Sequence, residues 1–125
     1  MSKPAEFVEI IDRMTVQVES LLAIPADVLP EMQRGDLESM QGALRRFRVM
    51  WVQAPEPETI PPAERHRIGH GMRNTIGVIS GYAMMLLEGM AGEIEDGLAA
   101  TVDEINTASD ILLEYVNTHY HSNFT

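Results

Sequence analysis

Apolar side chains recur along this chain at alternating steps of three and four, the interval that keeps them on one face of an α-helix. Phe7, Ile11, Met14, Val18 and Leu21 predict a first amphipathic helix over about 4 to 23, with Pro4 tolerated in its first turn and Pro25 ending it. The next stretch, IPADVLPEMQRGD, has two prolines and a Gly-Asp pair, which predict a turn and a restart capped by Asp36. Leu37, Met40, Leu44, Phe47 and Trp51 then predict a second helix over about 36 to 52.

Four prolines in QAPEPETIPP, positions 53 to 62, are too many for a helix or a central strand and predict a semi-rigid extended connector. Pro61 or Pro62 can start a third helix, whose stripe is Ile68, Met72, Ile76, Ile79, Ala83, Leu86 and Met90. Gly89, Gly92 and Gly97 punctuate an acidic turn before a fourth stripe of Leu98, Val102, Ile105, Ser109, Leu112, Val116 and His119. The pattern reads as an all-α chain with an N-terminal helical segment (1–53), a proline-rich connector (54–61) and an antiparallel helical hairpin (62–121). A two-helix hairpin cannot bury both stripes alone, so either the N-terminal helices or a second chain must complete a four-helix bundle. The expectation is a homodimer, with the two N-terminal helices as additions to the bundle.

Composition supports helices. The chain has 125 residues, enough for one continuous core, and is 45% hydrophobic with only 6% aromatics and nine Met, which favours packed aliphatic helices over a sheet sandwich. No cysteine is present, so disulfides, thiolate nucleophiles and Cys-based zinc sites are excluded. A net charge of -10 argues against nucleic acid and anionic lipid as general partners. The charge is segregated. Six of the nine Lys and Arg (Arg45, Arg46, Arg48, Arg65, Arg67, Arg73) fall between 45 and 73, whereas positions 74 to 125 carry eight acids and neither Lys nor Arg. The first residues, MSKPAEFVEIIDRM, have neither a basic n-region nor an uninterrupted apolar core, and no apolar run approaches the roughly 20 residues of a membrane span. The expected location is cytoplasmic, with no membrane contact.

The chemically informative segment is RHRIGHGMRNTIGVISGYAMMLLEG, positions 65 to 89. It resembles the phosphoacceptor box of sensor histidine kinases: a His, an acidic residue, one variable residue, Arg, Thr or Asn, Pro and Leu, then an Ile and a Gly-Tyr leading to a Leu pair. Here these positions hold His70, Gly71, Met72, Arg73, Asn74, Thr75 and Ile76, then Ile79, Gly81, Tyr82, Leu86 and Leu87. DEINTASDILLEYVN, 103 to 117, is similar to the family's second hairpin helix, so the likeness spans about 62 to 118.

The resemblance implies a dimerisation and histidine phosphotransfer domain, with His70 as phosphoacceptor and Asn74 at the position that serves dephosphorylation of the partner. A neutral imidazole is a competent nucleophile near pH 7, provided it is exposed. His70 lies about 200° around the helix from both Ile68 and Met72, so it should face outward, with Asn74 one turn on and on the same face. Arg65, Arg67 and Arg73 flank it and would attract an acidic or phosphorylated partner; Arg73 also belongs to the motif, and Gly71 and Thr75 are expected in the partner contact. For a charge cluster alone, ordinary helix solvation is the better reading; beside this motif the order reverses.

Two departures qualify the likeness. Gly71 stands where the family has the acidic residue that activates the histidine for autophosphorylation, and it costs about 1 kcal/mol of helix propensity. Thr75 stands where the family has the proline that kinks the helix. These 125 residues contain no Gly-rich ATP lid, no Walker-type loop and no nucleotide-binding domain, so alone they cannot use ATP.

The expected function is therefore phosphotransfer: His70 accepts and relays a phosphoryl group to or from the receiver domain of a response regulator. No cofactor is expected in this chain, and Mg²⁺ belongs to the receiver. The alternative is a degenerate module that carries no phosphate but binds and regulates a receiver or a kinase, including by phosphatase-type activity. A plain structural bundle would make the motif a coincidence. His66 and His70 have a metal-compatible spacing with no third ligand nearby, and His119 and His121 read as tail residues. Trp51, Tyr82 and Tyr115 read as packing residues, and Met84, Met85 and Met90 as core before partner surface. No Ser-His-Asp grouping or carboxylate pair points to a hydrolase.

Overall fold

In a computed structural model, which describes residues 3–121, four helices follow one another: α1 (Ala5–Leu22), α2 (Glu31–Gln53), α3 (Pro62–Leu87) and α4 (Asp96–His119), with a single 3-10 turn at Pro57–Thr59. Each helix begins directly after a residue with extended backbone dihedrals; for α1, α2 and α3 that residue is Pro4, Pro30 and Pro61. A proline there supplies a fixed φ and lacks only an N–H that the first turn would leave unpaired anyway.

The four stripes converge on one core. Every apolar residue of the first two stripes is buried, as are Met72, Ile76, Ile79, Ala83 and Leu86 of α3 and Leu98, Val102, Ile105, Leu112 and Val116 of α4. The helices meet in a ring: α1 on α2, α2 on α3, α3 on α4, and α4 back on α1. The bundle is thus closed by a single chain. Cover for the α3 and α4 stripes, expected from a second copy, comes from α1 and α2. The core continues across the proline-rich connector, where Ala54 and Pro57 are buried.

Three expectations need correction. α2 starts at Glu31 and not at Asp36, because Arg34 N–H already bonds the Pro30 carbonyl at 2.9 Å and Gly35 sits inside the helix. Two side chains of this early turn are used structurally. Arg34 caps the end of α1 through the carbonyls of Leu22 (2.8 Å) and Ile24 (2.6 Å), and buried Gln33 donates to Glu93 O (3.0 Å) and Gly92 O (3.4 Å). Second, α3 ends at Leu87, and Gly89 (φ +77°) and Gly92 (φ +101°) turn the chain, which leaves Met90 62% exposed. Third, the α4 stripe ends not in His119, which is exposed, but in buried Tyr120, four residues beyond Val116.

One end of the bundle is the more densely tied. Phe7, Trp51 and Tyr115 form an aromatic cluster with ring centroids 4.5–5.4 Å apart. The Lys3 ammonium lies 5.2 Å from the centre of the Trp51 ring and donates to the carbonyls of Trp51 and of Ala54 (2.7 Å). Burial lowers its pKa, with the Glu56 carboxylate opposing that shift. Tyr120 donates its hydroxyl to Pro55 O at 2.8 Å, fastening the end of α4 to the connector. No described helix is long and apolar enough to cross a membrane.

Candidate functional site: an exposed histidine on the third helix

His70 lies about two turns into α3, at the tied end of the bundle, and it is exposed. The reason is helical phase. Its chain neighbours Gly69 and Met72 are buried, whereas His70, Asn74 and Gly77 share the outward face. The Asn74 side-chain amide nitrogen is 3.2 Å from His70 Nε2, across one turn. An amide N–H can only donate, so with this contact Nε2 is the acceptor and the neutral ring carries its proton on Nδ1. The lone pair that a nucleophilic imidazole would use therefore points at Asn74, and a modest rotation of that side chain uncovers it.

His66, one turn before, stacks on His70 with ring centroids 6.4 Å apart and planes at 28°. The two imidazoles form an outward pair. Among the described residues no group of three His, Cys, Asp or Glu side chains is arranged to hold a metal ion.

The three arginines are not equivalent. Arg67 is exposed and paired loosely with Glu64 at 3.5 Å, a surface contact worth little, so its charge is available to a partner. Arg65 is half-buried and turned to the connector, where its Nη1 donates to Pro57 O at 3.3 Å and its Nε is buried without a hydrogen-bond partner. Arg73 is half-buried, with Nη1 only 3.0 Å from where a side chain at position 69 would begin.

Gly71 and Thr75, both expected at the partner contact, face α2. Thr75 is buried, its hydroxyl bonded to Gly71 O at 2.9 Å and close to Met50 Sδ at 3.4 Å. A side chain on Gly71 would start 3.0 Å from Met50 Cε, the far end of a flexible α2 side chain, which would have to shift for an acidic residue to sit there. α3 runs unbroken through Thr75, with no helix end between Pro62 and Leu87.

Two residues of the site escaped sequence reasoning. A Cβ on Gly69 would collide with the carbonyl oxygen of Tyr120 and lie 2.9 Å from Tyr120 Cβ, so the residue next to His70 is glycine because the end of α4 crosses it. Tyr120 itself sits at the stripe spacing, four after Val116, and could have been found; Gly69 carries no comparable signal. Burial pushes the Tyr120 phenol far above its ordinary range. Beyond Asn74 the outward strip of α3 includes Gly77, Val78, Met84 and Met85, all exposed.

In comparisons with known proteins the chain matches no family model, no curated protein and no solved structure. The likeness to sensor histidine kinases accordingly rests on the residues of positions 65 to 89 and 103 to 117.

Proposed function

We propose that this chain is a phosphotransfer module in which His70 takes a phosphoryl group from, or returns it to, an aspartate of a response-regulator receiver domain. The observation that carries this reading is the exposed imidazole on a well-packed helix, with Nε2 3.2 Å from the Asn74 amide. In the forward step the Nε2 lone pair forms the P–N bond. The acyl P–O bond of the aspartyl phosphate breaks, its electron pair stays on the carboxylate, and the Nδ1 proton remains on the ring or leaves to water. Asn74, displaced from Nε2, is within reach of a phosphoryl oxygen as a donor, and Arg67 adds a positive charge nearby. Any Mg²⁺ would be bound by the receiver, and no ATP chemistry is assigned to this chain.

A second reading has its own supporting observation. Position 71 is a glycine against the Met50 side chain, and an Asn amide, not a carboxylate, contacts His70. A module of this kind would dock a receiver or a kinase without carrying phosphate, and Asn74 would orient a water for hydrolysis of the partner's aspartyl phosphate. Self-association, if it accompanies either activity, would use outward residues such as Val78 and Met84, since the stripes are covered within one chain; sedimentation of the intact protein measures it.

Transfer of radiolabel from a phosphorylated receiver domain tests the pair of readings. The first expects acid-labile label on the wild-type chain and none on His70→Ala. The second expects no label, receiver binding that survives His70→Ala, and receiver dephosphorylation that is lost in Asn74→Ala.

A further inference from the structure

The seam between α1 and α4 is the loosest of the four in the ring, and it is open on the outside. It holds a groove of about 440 Å³ floored by Ile10, Ala108 and Ile111. A second depression of about 280 Å³, running on to Thr118 and His119, shares Ile111 with the first. From Asp103 to Thr118 the α4 residues that line the two depressions span about 22 Å, given ~1.5 Å of rise per residue. That is the length of a four-turn helix. Ile111, midway along it, is 47% exposed.

The rims are acidic. Glu6 and Glu9 of α1 and Asp103 and Glu104 of α4 line the groove, against a single cation, Arg13. Gln17 donates to Glu104 at 3.0 Å, a contact between exposed side chains across the seam. An apolar floor between two carboxylate walls suits a cationic helix that lays an apolar stripe on the floor and its Lys or Arg against the rims. A second copy of this chain entering through the same groove would instead bring acid against acid.

We propose that the α1/α4 groove is a docking site for a basic amphipathic helix of a partner protein, separate from the His70 surface on α3. Ile111 is the central apolar contact, and the rim carboxylates select the partner's charge and make binding weaken with salt.

The probe is a fluorescein-labelled leucine–lysine peptide of about 16 residues, with leucines at helical spacing. Its binding to the full chain is read by anisotropy. Ile111→Lys should raise the dissociation constant at least tenfold, whereas Glu38→Gln, an equal charge change of one unit at an exposed position of α2, should leave it within about twofold. Both variants change solvent-facing side chains, and thermal melts matching the wild type show that each is folded. Equal weakening by the two variants would mean attraction to net charge alone and would overturn the proposal, as would no binding by the wild type. Concentration-dependent dimerisation that disappears in Ile111→Lys would assign the groove to a second copy and overturn it too.

Discussion

Two stretches of α3, one turn and a half apart, use glycine for opposite reasons. Gly69 and Gly71 lie against other elements: a Cβ at 69 collides with the backbone of Tyr120, and a Cβ at 71 comes within 3.0 Å of Met50 Cε. Gly77 and Gly81 have nothing within 4 Å of where a Cβ would stand. Close approach to backbone requires glycine at 69, a yielding side chain presses on 71, and neither acts at 77 or 81. His70 therefore sits where α3 is gripped on its inner side by α2 and by the end of α4, while the strip beyond it stays bare. A histidine mounted in this way keeps its position yet remains reachable.

The largest effect that can break this contrast is Gly69→Ala. The added methyl must push back the end of α4, an overpacking cost of up to about 3 kcal/mol that outweighs the ~1 kcal/mol gained in helix propensity. Chemical denaturation should show a net loss of roughly 2 kcal/mol, and an unchanged midpoint would deny the close contact with Tyr120. Next comes Tyr120→Phe, which removes the hydroxyl that holds Pro55 O. About 1 kcal/mol should be lost at neutral pH.

The same substitution has a pH signature. Burial raises the folded pKa of Tyr120, so below pH ~10 the phenol is neutral in both states and contributes no difference. Above that, the unfolded chain releases the proton while the folded chain keeps it, and stability falls as pH rises. Tyr120→Phe should flatten part of that alkaline decline in a series of melts. A decline of unchanged steepness would mean that other groups, such as Tyr115, whose pKa burial also raises, cause it.

Smaller effects sharpen the other half of the comparison. Gly77→Ala and Gly81→Ala should each stabilise the protein by up to about 1 kcal/mol, since the methyl meets no neighbour and the helix gains propensity. Gly71→Ala should fall near zero, within about 0.5 kcal/mol, because the flexible end of Met50 can swing aside and offset the propensity gain. A large loss there would show Met50 to be held as firmly as Tyr120.

Most of the fold was legible because each helix carries its own apolar stripe, and local periodicity needs no knowledge of partners. The interior of α1 follows its stripe residue for residue, and α2 buries its whole stripe together with Gln33 and Ala43. Where local reasoning failed, a long-range contact decided the outcome. Arg34 and Gln33 have roles only because the end of α1 and the α3–α4 turn lie beside them, so a Gly-Asp pair that reads as a break is carried inside α2. Closure by one chain was among the open alternatives, and no spacing rule separates it from closure by two. At the site, the outward phase of His70 and Asn74 was readable from Ile68 and Met72. The inward placement of Thr75 and Gly71 was not, because a family motif states which residues occur and not which neighbour, here Met50, they pack on.

The most direct measurement is residue-level mapping of phosphohistidine by mass spectrometry, after mixing the intact protein with a phosphorylated receiver domain and keeping the sample at alkaline pH. The account predicts phosphate on His70, with His66 and His119 unmodified and none on any residue of His70→Ala. Phosphate on His66 or His119 in place of His70, or on no histidine in any receiver mixture, would contradict it.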